Sequence, residues 1–250
     1  MPKVSIIICT HNREKLLPRA LDSVLAQDFK DFELIIIDDA SNDGTENLIK
    51  SYLEKDSRIK YFKNDHNLGI AKSRNKGCKI AEGEYIAMLD SDDWWLKNDK
   101  LSRQVAILDS QRAVGLVGTG IVLYDTKDNF IKEDIFEAEN SKIRAKILAK
   151  NQFAQSSVLF RKEAHFNAGG YDESLVVCED LDLWLKIGLR YELANIPEAL
   201  TAFLVNPEGF SKLDKHRLIK TTNEVISRYK LDYPGYLKAK IKSKLRFLRG

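Results

Sequence analysis

Residues 85–95 read YIAMLDSDDWW. An apolar run from Tyr85 to Leu89 passes directly into Asp90, Ser91, Asp92 and Asp93, which crowds three carboxylates at the end of a buried strand. Two earlier stretches share the design: VSIIICTHN (4–12) and FELIIIDDASND (32–43) each run from continuous apolar residues into a polar loop. Strands of this kind belong inside parallel sheets covered by helices on both faces. Helical patterns separate them. Lys15–Gln27 lines up Leu16, Leu17, Ala20, Leu21, Val24 and Leu25, and further helices are read from about Thr45 to Leu53 and from about Ile70 to Ala81, with a short strand IKYFK (59–63) between them. This alternation predicts an α/β fold whose ligand site lies at the carboxyl ends of the strands, where CTHN, DDASND and DSDD converge.

The second half is less regular. A helix from Lys100 to about Leu108 precedes a strand VGLVGTGIVLY (114–124), an acidic loop with room for one strand, and a helix near Lys142–Ala149. After SSVLFRKEAHFNAGGYDE (156–173) come a helix from about Asp180 to Leu189 and strands YELANI (191–196) and LTAFLV (200–205). With 250 residues, 44% of them hydrophobic, the chain can bury one large core. It has no uncharged apolar run of membrane-spanning length, and the short Val4–Cys9 stretch reads as strand rather than signal peptide. Cys9, Cys78 and Cys178 are odd in number and far apart, so neither a disulfide framework nor a zinc site is expected, and a reducing cytoplasm fits.

Three carboxylates beside a buried strand repel one another and lose hydration, at a cost of several kcal/mol per unpaired ion. A hard divalent cation offsets this: Mg²⁺ and Mn²⁺ take oxygen ligands and are shared between one or two carboxylates and substrate phosphates. The alternative is that Asp90, Ser91, Asp92 and Asp93 merely cap the turn before the next helix. Two other motifs are excluded. DASNDGTENLIK (39–50) resembles a calcium loop, but Lys50 stands where the bidentate Glu belongs. The loop after the first strand has no glycine, and no G-x-x-x-x-G-K-[ST] occurs, so neither a dinucleotide nor a P-loop site is supported.

Taken together, VSIIICTHNREKLLPRALDSVLAQDFKDFELIIIDDASNDGT, NLGIAKSRNKGCKIAEGEYIAMLDSDDWW, GGYDE and CEDLDLWLKIG resemble the family 2 glycosyltransferases over roughly residues 3–205. The resemblance implies a GT-A fold with a nucleotide-sugar-binding half (1–98) and an acceptor-binding half (99–208); beyond it, residues 209–250 read as a basic helical tail. It implies a Mn²⁺ or Mg²⁺ cofactor and inverting transfer of a sugar from a UDP- or other nucleotide-sugar donor to a saccharide or lipid-linked acceptor. By the same resemblance Thr10, His11, Asp39, Arg74, Asp90 and Ser91 contact the nucleotide-sugar, Asp90, Asp92 and Asp93 hold the metal, and Asp180 is the catalytic base. The family usually reads PTYN where this chain reads CTHN, so His11 replaces a stacking ring with a smaller one.

Each role has an ordinary alternative. His11 is equally a loop residue satisfied by hydrogen bonds, Asp39 a turn former, Arg74 a solvated helix charge and Asp180 a helix cap. At a helix start, Asp180 is expected to feel the positive end of the dipole, which lowers its pKa and keeps it ionised. Trp94 and Trp95 are read as packing residues sooner than sugar platforms, and Trp184 as core.

The net charge of +3 hides a split: residues 212–250 carry 12 Lys and Arg against 3 Asp and Glu, leaving the remainder acidic. In the tail Leu237, Ile241, Leu245 and Leu248 share one helical face among Lys238, Lys240, Lys242, Lys244, Arg246 and Arg249. Such a helix either lies on an anionic membrane, making the protein peripheral on the inner face of the cell membrane, or packs on its own domain or a partner. Without a Q-x-x-R-W motif or membrane helices, single-sugar transfer is expected rather than processive polymerisation. The rivals are a catalytically inactive nucleotide-sugar binder and a nucleic-acid module using the tail. The acidic remainder and the lack of interleaved stacking aromatics oppose nucleic acid as a partner.

Overall fold

The computed structural model describes residues 1–206 and 215–248. Its first part alternates β1 (Val4–Thr10), α1 (Leu17–Leu25), β2 (Phe32–Asp38), α2 (Thr45–Leu53), β3 (Ile59–Lys63), α3 (Ile70–Ile80) and β4 (Tyr85–Asp90). These strands lie parallel in the order β3-β2-β1-β4. Register sets the site: Cys9 pairs with Asp90 and Thr10 with Asp38, so three polar loops leave the sheet at one level.

The rest comprises β5 (Trp94–Trp95), α4 (Lys100–Ser110), β6 (Val114–Tyr124), β7 (Phe130–Asp134), α5 (Asn140–Lys146), a 3₁₀ turn at Gln155–Ser157, β8 (Leu159–Arg161), α6 (Lys162–Asn167), α7 (Glu179–Ile187), β9 (Glu192–Leu204), α8 (Lys215–Arg228) and α9 (Tyr236–Leu248). The sheet continues from β4 through β8, β6, β9 and β5, with β7 hairpinned onto β6. β8 runs antiparallel to both β4 and β6, which makes the sheet mixed, as a GT-A sheet is. The two strands expected at 191–196 and 200–205 are one strand, β9. Its register against β6 slips between Ile196 and Ala199, where Pro197 has no N–H to give the ladder.

Alternate residues of each strand enter opposite core layers. One layer joins Ile6, Ile8, Leu34, Ile36, Ala87 and Leu89 to α1, α2 and α4. The other joins Ile7, Ile35, Ile37, Ile86 and Met88 to Trp184 of α7 and to Val225, Ile226, Tyr229, Tyr233 and Ala239. The core therefore runs from β1 through the second half and into α8 and α9. The helix pair is bound to the body by its aromatic and aliphatic inner side. Residues 209–214 of the expected tail, and the side chains of Arg246, Leu248 and Arg249, lie outside what is described.

Candidate active site

The loops after β1 and β2 are laced together. Asn12 N–H donates to Ser41 Oγ (2.9 Å), Asn42 N–H to Asn12 Oδ1 (2.9 Å) and Arg13 N–H to Thr45 Oγ1 (3.0 Å). Exposed His11 donates from Nδ1 to the Asp39 carbonyl at 2.8 Å. Asn12 and Ala40 hold left-handed backbone (φ 53° and 61°), as does Cys178 (φ 65°) just before α7. Apart from Asp128 in the β6–β7 hairpin, these are the described non-glycine residues at positive φ, and all three border the site.

Asp39 is buried and faces inward. Its Oδ1 accepts from Asn64 Nδ2 (2.7 Å) and Leu68 N–H (2.8 Å), and Oδ2 from Gly69 N–H (2.9 Å). It thereby fixes the loop that starts α3, where Gly69 takes φ 87°, a conformation costly for any side chain. Thr10 is buried too, and its hydroxyl has no hydrogen-bond partner among the described residues.

Arg74 on α3 lies beneath the cleft rather than on a solvated face, with its side chain 5% exposed. Its two terminal nitrogens fork to Asp90 Oδ1 (2.7 Å) and Glu179 Oε1 (2.5 Å), and its guanidinium lies 5.6 Å from the Tyr171 ring centroid. Burial pulls its pKa down, but the two carboxylates outweigh that and hold it well above its ordinary value. One cation thus ties the exit of β4 to the start of α7.

The acidic cluster splits by direction. Asp90 and Asp92 keep 28% and 26% of their side chains exposed, and Arg13 Nη2 stands 4.0 Å from Asp92 Oδ2. Burial first and the neighbouring Asp90 second raise the pKa of Asp92. Asp93 turns inward: Oδ2 accepts from Ser156 Oγ at 2.5 Å and Oδ1 from Leu204 N–H at 2.9 Å. Burial, then Asp92 and Asp90, push its pKa well above the carboxylate range. Ser156 also accepts the Asp90 N–H (3.0 Å), and its carbonyl accepts Trp95 Nε1 (2.9 Å), so this one residue braces the whole turn. Ser91 is buried within it. Trp95 is packed, and Trp94 is stacked between Arg19 (4.2 Å) and Tyr124 (5.3 Å), as the packing reading expected.

Asp180, in the first turn of α7, is half-buried. Its Oδ1 accepts the Leu181 N–H (2.7 Å) and its Oδ2 accepts Asn151 Nδ2 (3.2 Å). Its pKa moves opposite to the helix-dipole expectation: burial, followed by repulsion from Glu179, lifts it to about 7. Desolvation overrides the dipole here, and the result is a carboxylate whose proton affinity suits a general base near neutral pH.

Among the described residues no group of three or more His, Cys, Asp or Glu forms a metal cage. Two half-exposed carboxylates that repel each other are nonetheless the protein share expected for Mg²⁺ or Mn²⁺, which draw their remaining ligands from phosphate and water. The donor set fits such a cation.

A mixed, mostly parallel α/β sheet that gathers three polar loops and the carboxylates of Asp90, Asp92 and Asp180 at one edge has the architecture of a GT-A glycosyltransferase. The comparisons agree. Residues 5–171 match the family described as Glycosyl transferase family 2. The chain is 34% identical over 224 residues to an uncharacterized glycosyltransferase of Methanocaldococcus jannaschii, covering 87% of this chain and 76% of that one. It is 30% identical over 226 residues to the UDP-Glc:alpha-D-GlcNAc-diphosphoundecaprenol beta-1,3-glucosyltransferase WfaP of Escherichia coli, covering 89% and 85%. The solved mannosyltransferase PcManGT of Pyrobaculum calidifontis, in complex with GDP-Man and Mn²⁺, superposes with a TM-score of 0.73 at 20% identity, over 97% of this chain and 69% of that one. The chain belongs to glycosyl transferase family 2.

Proposed function

We propose that this glycosyltransferase moves a single sugar from a UDP-sugar to a hydroxyl of a lipid-linked saccharide at the inner face of the cell membrane, inverting the anomeric configuration with the help of Mn²⁺ or Mg²⁺. The observation that carries the reading is the Asp90–Arg74–Glu179 bridge. It ties Asp90, one of the carboxylates that would meet a metal diphosphate in this reading, to Glu179, the neighbour of the proposed base Asp180. The WfaP name supports the UDP donor and the lipid-linked acceptor, and the GDP-Man and Mn²⁺ in PcManGT support the metal.

In this reading His11 and the β1 and β2 loops receive the nucleoside, and Arg13 lies where phosphate charge would gather. Asp90 and Asp92 would hold the cation, which when bound neutralises charge growing on the leaving diphosphate. Asp39 and Asp93 act as braces, because their oxygens are already engaged by backbone and side-chain donors. Asp180, steadied by Asn151 and the Leu181 N–H, takes the proton of the acceptor hydroxyl as that oxygen attacks the anomeric carbon. The bond from the anomeric carbon to the diphosphate oxygen breaks on the opposite face, and the nucleoside diphosphate leaves.

Calorimetric titration of UDP and GDP, with and without Mn²⁺, tests the assignment. Mn²⁺-assisted uptake of UDP is expected, lost in Asp92→Asn and retained in Asp180→Asn. Folded protein that takes up neither nucleotide in the presence of the cation refutes it.

A further inference from the structure

Helix α9 has two opposite faces. Ala239 is buried, Tyr236 packs against the core and Ser243 Oγ accepts from Asn223 Nδ2 of α8 (2.7 Å), so this side seats the helix on the body. Leu237, Ile241 and Leu245 are 77%, 64% and 49% exposed. At about 100° per residue these three form a stripe roughly 80° wide that points away from the body, opposite the seated side. Exposed Lys238 flanks the stripe on one side and exposed Lys244 and Lys240 on the other. The described helix holds five basic residues and no acidic one. Leu231, in the turn leading into α9, is 91% exposed as well.

An aliphatic stripe on a soluble surface calls for an occupant. Its shape and charge select one. The stripe is a convex ridge one helix wide, where a protein partner would normally meet a broader patch, and it is bordered by cations on both sides. A helix with an apolar ridge and lysine margins lies at a bilayer interface with its aliphatic side chains among the acyl chains and its ammonium groups among anionic headgroups. We infer that α9 is a membrane-docking helix that binds anionic phospholipid surfaces through Leu237, Ile241 and Leu245. No helix among the described residues is long and apolar enough to cross a membrane.

The test is co-sedimentation of the full chain with vesicles of phosphatidylglycerol and phosphatidylcholine, or of phosphatidylcholine alone. Binding is expected to the mixed vesicles, weakened by salt. Leu237→Ser/Ile241→Ser/Leu245→Ser should weaken it roughly 100-fold or more through lost apolar burial. Lys238→Gln/Lys240→Gln/Lys244→Gln should weaken it roughly fivefold per lysine. All six positions are exposed, so the variants should melt as the parent does, which circular dichroism checks. Sedimentation equal for parent and triple-serine variant overturns the inference. So does a parent that binds no vesicle, including one found as a dimer that the serine variant dissociates, which would assign the stripe to a second copy. Vesicle binding requires no turnover, so the docking and the transferase chemistry can fail separately.

Discussion

Replacing Asp180 by Asn should make the protein more stable at alkaline pH while removing its activity. A carboxyl raised from 3.8 to about 7 by burial and Glu179 binds its proton more tightly folded than unfolded. Below the unfolded pKa both states are protonated and the group is neutral to stability. As pH rises from there through the folded value the native state progressively loses, and above it the penalty is complete. The full shift corresponds to about 4 kcal/mol. Against this, Asp180 accepts two hydrogen bonds, from Leu181 N–H and Asn151, on two oxygens, whereas Asn offers one acceptor; the lost bond costs roughly 1 kcal/mol. At about pH 8.5 Asp180→Asn should therefore gain roughly 2–3 kcal/mol, a melting increase of roughly 5–10 °C for a chain of this size. At about pH 4 the gain should vanish or reverse, because the folded carboxyl is then protonated and the unfolded one only about half ionised, so little of the penalty is in force and the lost hydrogen bond outweighs it. Urea denaturation at the two pH values measures the difference, and transfer assayed in parallel should fall by about 10²–10⁴. A variant whose stability offset is the same at both pH values, or one that turns over like the parent, refutes the reasoning.

Arg74→Ala should destabilise by roughly 3–5 kcal/mol, since it leaves the buried Glu179 and the partly exposed Asp90 facing each other without their shared cation. Any residual kcat/KM profile should move to higher pH, because the loss of a positive charge favours protonated Asp180; Arg74→Lys should restore part of the stability but not the fork. Asp92→Asn should weaken Mn²⁺-assisted UDP binding at least about tenfold, whereas Asp93→Asn should change it by less than about threefold, because Asp93 is already engaged by Ser156 and Leu204. Ser156→Ala should cost roughly 1–3 kcal/mol and loosen donor binding together, since it strips a partner from both the Asp90 N–H and the Asp93 carboxylate.

The parallel half was legible because its strands are apolar on both faces and its helices carry clear stripes; Val4–Thr10, Thr45–Leu53 and Ile59–Lys63 appear as read. The acidic turn stood out as a candidate site through its density. Which aspartate faces the cleft was not, because that depends on Ser156 and Leu204, 63 and 111 residues downstream of Asp93. Without the resemblance Arg74 was equally readable as a solvated helix charge for the same reason: the carboxylates that draw it inward lie on β4 and α7. Asn151, which steadies Asp180, carries no local signal at all. Lys100 illustrates the limit: it opens a helix as a solvated lysine would, yet its Nζ is buried on Gln104 Oε1 (2.8 Å) and lies 4.1 Å over the Trp95 ring. β8 escaped reading because three residues give too short a period.

The helix that carries Asp180 is held from behind by the basic C-terminal pair. Asp182, fully buried on α7, accepts from Tyr229 Oη (2.8 Å) and Arg228 Nη1 (3.2 Å) and pairs with Lys186 (2.7 Å); Tyr233 Oη donates to the Leu185 carbonyl (2.8 Å). Ahead of Asp180, strained Cys178 lies 3.2 Å from Thr222 Oγ1 on α8. Left-handed backbone at a non-glycine residue costs on the order of 1–3 kcal/mol and persists only where its surroundings impose it. The desolvation that lifts Asp180 to about 7 needs the same enforcement, since a carboxylate free to swing outward would regain water and its ordinary pKa. α8 therefore supports the base proposed on α7 as much as Arg74 does: Arg74 fixes the start of α7 against β4, and α8 packs on its other side. Because α9 packs on α8, the docking helix proposed above and the base proposed on α7 would share one support.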